Sequence, residues 1–415
     1  MKGFVPPDSI DPVPSSGRIP ALDSLRGAAL LGVLLVNLLG GFRISLFESI
    51  LTVHTRPGWA NHAVDILVEW VFEFKAFTLF SLLFGVGVGV QQERKASRKI
   101  KSFRFFIRRF VALLGIGLCH MLLIWNGDIL ALYAICGLLL IPTATISPKR
   151  LGIAGMAIIG LAPYLPFFGG FFPTDEAMRT QSVIATRVYS TGSFIEILFL
   201  RVSEAGHFIL PLLISSLPRT FGLMLVGIAA WRSGILQQPG KHSALFKGIL
   251  VGAGSLGALT TTLHVWSRNT GRLPPNALDW LYPYSSVLLA FGYGAGLLLW
   301  LHSISDGIAR RLARLLAAGG RMSLSNYLMQ SVIFSVVFYG FGFGLFGKLG
   351  SAAAALIGLV VFGAQLIASE WWLRRYCFGP AEWLWRSLSY ERWQPLKRKS
   401  VQPGRSDVAD VEIAK

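Results

Sequence analysis

An all-α, polytopic helical membrane protein of about ten transmembrane helices, N-in and C-in, is what this sequence predicts, and three observations predict it. Hydrophobic residues make up 53% of the chain and charged residues 14%, and the mean hydropathy is +0.57, more apolar surface than a soluble core can hide. Apolar runs of spanning length fall near 25–43, 65–90, 109–126, 128–146, 151–172, 207–232, 244–266, 280–302, 322–345 and 352–373, each close to the roughly twenty residues that cross a bilayer. The loops between them are unequal in charge. One side carries 28 Lys and Arg and the other 8, and the richer side is cytoplasmic. Topology, not nucleic acid, therefore accounts for the net charge of +18.

Taken in order, residues 1–24 are Pro- and Ser-rich and read as a disordered cytoplasmic tail, without the apolar core of a secretory signal. The first span opens with LDSLRGAALLGVLLVN at 22–37. Asp23 and Arg26 are i,i+3 neighbours at the membrane edge, and Asn37 lies within the apolar run, where a polar group either glues helices together or serves a function. The second span is the least lipid-like. Asp65, Glu69 and Glu73 repeat every fourth residue, His62 precedes them, and Lys75 follows near mid-span. Such a face turns into the bundle. The next connection, 91–109, has eight basic residues against one acid and fixes the inside. Between the third and fourth spans the sequence His120-Met-Leu-Leu-Ile-Trp-Asn-Gly-Asp128 makes a tight outside turn. It sets an imidazole near a carboxylate, the pairing of a general base or of a satisfied buried histidine.

The outside segment 173–206 is too polar to span and amphipathic in its second half, suited to covering a cavity. Inside, 306–319 places Ile308, Leu312, Leu315 and Leu316 against Arg310, Arg311 and Arg314, the pattern of an interfacial helix on anionic lipid more than of a substrate-phosphate site. In the ninth span Ser323, Asn326, Tyr327 and Gln330 form one polar stripe, facing either another helix or a cavity. Residues 374–415 read as a basic cytoplasmic tail. Cys119, Cys136 and Cys377 have neither disulfide nor zinc spacing, and the chain has no Gly-x-Ser-x-Gly elbow, P-loop or metal-ligand motif.

Several stretches in chain order resemble the YeiB-like family of bacterial polytopic membrane proteins, a family largely of unknown function: LDSLRGAALLGVLLVN at 22–37, EFKAFTLFSLLFGVGVG at 73–89, HMLLIWNGDILALYAICGLLL at 120–140, FGLMLVGIAAWRSGIL at 221–236, GRMSLSNYLMQS at 320–331 and FGPAEWLWRSLSYERWQPLKR at 378–398. More distantly, the first helix resembles those of the transmembrane acyltransferases, among them sugar O-acyltransferases and the heparan glucosaminide N-acetyltransferase. That resemblance implies an acyl donor, commonly acyl-CoA, from the cytoplasm, a sugar acceptor on the opposite face, and a membrane-embedded histidine. The chain departs from the O-acyltransferases where their catalytic His follows Arg by eleven residues. Here Arg26 is followed at that distance by Asn37, which excludes catalysis from that position. The glucosaminide acetyltransferases have Asn there and a His in the next outside loop, where this chain offers His54 and His62 around Trp59, ahead of Asp65, with different spacing.

The leading expectation is thus an acyltransferase of the bacterial inner membrane, moving an acyl group to an envelope carbohydrate or small metabolite. The base would be His120 with Asp128, or His54 or His62 with Asp65. Arg26 and the basic segment Arg94–Arg109 would meet the donor's phosphates. Acyl-CoA enters as co-substrate, no cofactor or metal is permanently bound, and lipid is the standing partner. A transporter, with Lys75, Glu69 and Glu73 as binding or proton-coupling groups, and a non-catalytic envelope protein are the other classes.

Overall fold

The apolar runs form helices that bury their polar faces against one another. The computed structural model describes residues 19–51, 58–97, 103–164, 174–272, 278 and 280–398, and among these there is no strand, only one isolated bridge between Tyr376 and Lys397. The expected tail before residue 19 and His54 lie outside the described residues.

Among the described residues seven helices are long and apolar enough to cross a membrane: Pro20–Phe42, Trp59–Ser97, Phe103–Ile124, Phe194–Arg232, Ser243–Thr270, Tyr282–Ser303 and Ser351–Arg375. The other three expected spans hold shorter helices, Leu130–Leu139, Pro148–Leu161 and Ser323–Phe338. Outward side chains such as Val251, Leu259, Val360 and Ile367 are well exposed, a surface suited to hydrocarbon rather than water. The chain is an all-helical, multi-pass membrane protein.

The first span is α1 (Pro20–Asn37), which continues as a π-turn, Leu38–Phe42. A short α2 (Leu46–Leu51) follows. The second span is not one helix. It comprises α3 (Trp59–Val71) and α4 (Lys75–Ser97), separated at Phe72–Phe74, where Phe74 takes a left-handed φ of 56°. Then come α5 (Phe103–Cys119), closing in a π-turn at His120–Ile124, α6 (Leu130–Leu139) and α7 (Pro148–Leu161).

The outside segment folds as α8 (Asp175–Thr191) and α9 (Phe194–Glu204), and α9 runs through a π-turn, Ala205–Ile209, into α10 (Leu210–Arg232). Local chemistry starts both outer helices. The Thr174 hydroxyl accepts from Ala177 N–H at the head of α8, and Ser193 and Glu196 form a reciprocal capping box on α9. After these stand α11 (Ser243–Thr270), α12 (Tyr282–Ser303), α13 (Ile308–Arg321), α14 (Ser323–Phe338) and α15 (Ser351–Arg375). Within the expected basic tail the chain forms one more helix, α16 (Pro380–Tyr390), packed on α5 and α14.

Glycines set two close helix crossings. A Cβ on Gly27 would overlap the Leu316 carbonyl and one on Gly320 the Asp23 carbonyl, so α1 and α13 meet backbone to backbone. Gly85 against Met224 and Gly227 against Leu82 do the same for α4 and α10. The start of α1, the end of α4 and the starts of α5, α14 and α16 gather at one end of the bundle. This is the end bearing the basic loops. Toward the other end, Phe42, Trp125, Phe334, Tyr339, Tyr189 and Phe346 pack as an aromatic layer, with Phe42 and Trp125 stacked at 4.6 Å.

A candidate active site between a basic cavity and a buried histidine

A cavity of about 240 Å³ opens at the basic end. It is lined by Asp23 and Arg26 of α1, Arg109 of α5, Arg321 of α13 and Arg386 of α16, while Phe80, Leu83 and Phe84 of α4 add apolar surface. Arg26 bonds Asp23 at 3.1 Å and donates to the Leu83 carbonyl at 3.3 Å, which ties α1 to α4. The sequence spacing anticipates that pair. Arg109 is buried, its guanidinium 3.6 Å over the Trp385 ring, and its carbonyl accepts from the Trp385 indole at 2.8 Å.

The remaining wall comes from α16, which sequence reasoning missed. Glu382 accepts from the Leu324 and Ser325 N–H groups at 2.7 and 3.1 Å and from the Ser325 hydroxyl at 2.5 Å. A carboxylate from one helix thus satisfies the orphan donors that open another. Burial pushes the Glu382 carboxyl above its ordinary range, and the Ser325 and Leu324 hydrogen bonds oppose that rise.

Further along the bundle, the tight turn between α5 and α6 brings His120 and Asp128 together. Nδ1 of His120 lies 2.8 Å from Oδ1 of Asp128, and the other Asp128 oxygen accepts from Ala131 N–H at 2.7 Å, fixing the carboxylate at the head of α6. His120 is 1% exposed and Asp128 2%. The Nε2 of His120 has no hydrogen-bond partner among the described residues, and the Tyr327 ring stands 5.0 Å from the imidazole. Such an arrangement orients an imidazole against a fixed carboxylate, the geometry of either a general base or a satisfied buried histidine.

The outer face of this pair is covered. Glu204 at the end of α9 accepts from Asn126 at 2.6 Å, from the Tyr189 hydroxyl at 2.9 Å and from Gln181 at 3.0 Å. Arg201 donates to the Leu123 carbonyl at 2.9 Å. The outside segment 173–206 therefore holds the turn Asn126-Gly127-Asp128 shut from above. Its contribution was half visible as amphipathicity, but Glu204, Arg201 and Tyr189 carry no motif.

The charged second span converges on its own break. Lys75 is fully buried and donates to the Glu69 carbonyl at 2.8 Å and to the Tyr282 hydroxyl at 3.3 Å. Tyr282 in turn donates to Glu73 at 3.2 Å, and Glu69 pairs with Arg268 at 3.1 Å. Arg219 bonds Thr78 and Ser286 beside them. An ammonium withdrawn from water costs several kcal/mol unless such partners surround it. Asp65, Glu69 and Glu73 line one small cleft of about 50 Å³, where Asp65 Oδ1 has no partner among the described residues.

Other expected site residues are used differently. Asn326 bonds Ser369 and the Gly319 carbonyl, and Gln330 bonds Gln365, so these two are spent on α15 and α13, while Ser323 at the head of α14 lines the 240 Å³ cavity. Tyr327 alone of that stripe faces His120. His62 is exposed on the first turn of α3, one turn from the buried Asp65. Asn37 closes α1 at its π-turn and lines neither of these two spaces.

A family model described as "Protein of unknown function (DUF418)" matches residues 230–392, which take in α11 to α16 and the helix that walls the cavity. Similarity extends beyond that match. The uncharacterised protein YxaH of Bacillus subtilis (strain 168) is 31% identical over 417 residues, covering 94% of this chain and 99% of that protein. An uncharacterised 39.9 kDa protein in the amylase 3' region of Bacillus acidopullulyticus is 30% identical over 396 residues, 94% of this chain and 99% of its own. The uncharacterised protein YeiB of Escherichia coli (strain K12) is 28% identical over 410 residues, 91% and 98% of the two chains. With relatives matched over more than nine-tenths of its length, the chain belongs to the YeiB-like family of DUF418 proteins.

Proposed function

We propose that the protein is an acyltransferase of the bacterial inner membrane that takes an acyl group from a cytoplasmic donor, acyl-CoA or a close analogue, and passes it to an envelope carbohydrate or small metabolite. The observation that carries the reading is the cavity at the basic end. Arg26 and Arg109 on its lining match a phosphate-bearing head, and Phe80, Leu83 and Phe84 match an acyl tail.

The buried dyad supplies the chemistry. His120 Nε2 takes the proton from an acceptor hydroxyl or amine as its oxygen or nitrogen attacks the acyl carbonyl of the thioester. Asp128, on the opposite nitrogen, stabilises the imidazolium, and the departing thiolate takes that proton back. Phe84, on the cavity wall, has its ring 5.1 Å from Tyr133, in the core cluster that also holds Tyr327. Separation of the Phe84, Tyr133 and Tyr327 rings between the cavity and His120 is the step the reading requires, together with movement of the cover formed by α8 and α9.

The test is labelling of membranes with radioactive acyl-CoA. His120→Ala leaves a protein that folds in detergent at near-normal yield, and removal of a base lowers transfer by a factor of roughly 10² to 10⁴. Loss of yield along with activity makes His120 a packing residue. No labelling by wild-type membranes across common acyl-CoA donors refutes acyl transfer.

A second reading, a small-molecule transporter, is favoured by one observation. The second span is discontinuous at Phe74, and a buried lysine with two carboxylates stands at the break, as coupling groups do in broken transporter helices. Uptake or efflux lost in Lys75→Met, with labelling absent throughout, selects it.

A further inference from the structure

A second cleft, of about 360 Å³, lies at the basic end between the start of α1, α13 and the end of α15. Arg314 and Arg321 reach it from α13, Arg374 from α15, and Arg398 from the strand of chain that returns beyond α16. Arg398 is anchored rather than trailing. Its N–H donates to the Arg375 carbonyl at 3.1 Å, next to the bridge between Tyr376 and Lys397. Two carboxylates share the cleft, and each is engaged: Asp23 by Arg26 at 3.1 Å and Glu370 by Arg374 at 3.2 Å. Four guanidinium groups against two carboxylates leave the cleft with two formal positive charges.

We propose that this cleft binds a phosphate-bearing ligand, a phosphomonoester or pyrophosphate group. A guanidinium presents a flat pair of donors to two oxygens at once, so several of them around one cleft call for a group with three or more terminal oxygens rather than a single carboxylate. The setting admits two sources. Ile308 and Leu312 on α13 are 88% and 45% exposed beside Arg311 and Arg314, which seats the helix on a bilayer surface where lipid phosphates lie. The cleft also shares Asp23 and Arg321 with the 240 Å³ cavity, which a soluble phosphate compound would reach from the same side. The inference stands on the arginines and holds whether or not the protein transfers acyl groups.

The experiment uses the full chain purified in detergent. Inorganic pyrophosphate is titrated at constant ionic strength while the thermal unfolding midpoint is followed, for wild type, Arg314→Gln/Arg398→Gln and, as a control, Arg310→Gln, whose side chain pairs with Asp306 outside the cleft. Pyrophosphate raises the midpoint of wild type and control, and the double variant needs at least about tenfold more of it, since it lacks two of the charged hydrogen-bond donors. In parallel, the three proteins are placed in nanodiscs of phosphatidylcholine with phosphatidic acid, and retained lipid is counted by native mass spectrometry. Retention of phosphatidic acid by wild type and control but not by the double variant, without a pyrophosphate effect, makes the source a lipid headgroup. If neither probe separates the double variant from Arg310→Gln, the cleft is not a phosphate site.

Discussion

Replacing Glu382 by alanine and, separately, by glutamine divides the work of its carboxyl into geometry and charge. Alanine removes three hydrogen bonds and leaves the N–H groups of Leu324 and Ser325 without partners at the head of a buried helix. Each unsatisfied buried donor costs about 1–3 kcal/mol. Water in the adjoining cavity offsets part of this, so Glu382→Ala loses about 2–3 kcal/mol of stability. Glutamine keeps an oxygen for both N–H groups and offers its amide to the Ser325 hydroxyl, so Glu382→Gln stays within about 1 kcal/mol of wild type. The pH dependence supplies a second readout. Because the folded-state value of Glu382 lies above its ordinary 4.5, the folded protein retains a proton that the unfolded chain has released across the window upward from 4.5. Stability therefore falls as pH rises through that window. Glu382→Gln removes this contribution to the slope, while stability at the acid end is kept. Thermal unfolding in detergent at stepped pH reads both effects. Equal midpoints for the alanine and glutamine variants, with wild-type slope in each, would refute the assignment of α16 as the cap of α14.

Lys75→Met impairs function and folded yield more than Lys348→Met in the outer loop, because only Lys75 sits fully buried in a network of carboxylates and Tyr282; comparable effects, read by labelling and by detergent-extracted yield, remove its special status. Gly27→Val forces α1 away from the Leu316 carbonyl and sharply lowers the recovery of folded protein on size-exclusion chromatography, whereas Gly160→Val, where the added carbon meets nothing nearby, leaves recovery unchanged. Reporters fused after Lys415 and within Glu93–Lys101 both stay cytoplasmic; export of either one breaks the charge-based topology.

What could be read ahead of the structure was what neighbours in sequence determine. Asp23 and Arg26 meet because three residues bring a helix round to the same face. His120 and Asp128 meet because Asn126-Gly127 turns the chain within eight residues. The amphipathic 306–319 is α13, pressed by its small residues onto α1. Partners from distant spans left no such trace. Nothing in EWVFEFKAF announces a break, for it has neither proline nor glycine. The positive φ of Phe74 is held from outside, by the edge of Tyr282 at 5.7 Å and by Arg219 over its ring at 5.4 Å. In the same way Asn326 and Gln330 look like cavity-lining groups until Ser369 and Gln365, some forty positions on, come to face them. The basic tail concealed α16 because its Arg and Lys residues outweighed the spacing of Trp385 and Tyr390, which meet Arg109 and Phe105 of α5.

The cap that α16 places on α14 also imposes an order on biosynthesis. Translation delivers the first turn of α14 about sixty residues before Glu382, so the nascent chain inserts that turn with its leading amides unclaimed and the wall of the cavity still missing. Among the described residues every bilayer-crossing helix is made before Pro380. A ribosome that stalls or terminates there releases a product with its spans complete and its basic mouth gaping, and such a product exposes the start of α14 to membrane proteases that a finished chain denies them.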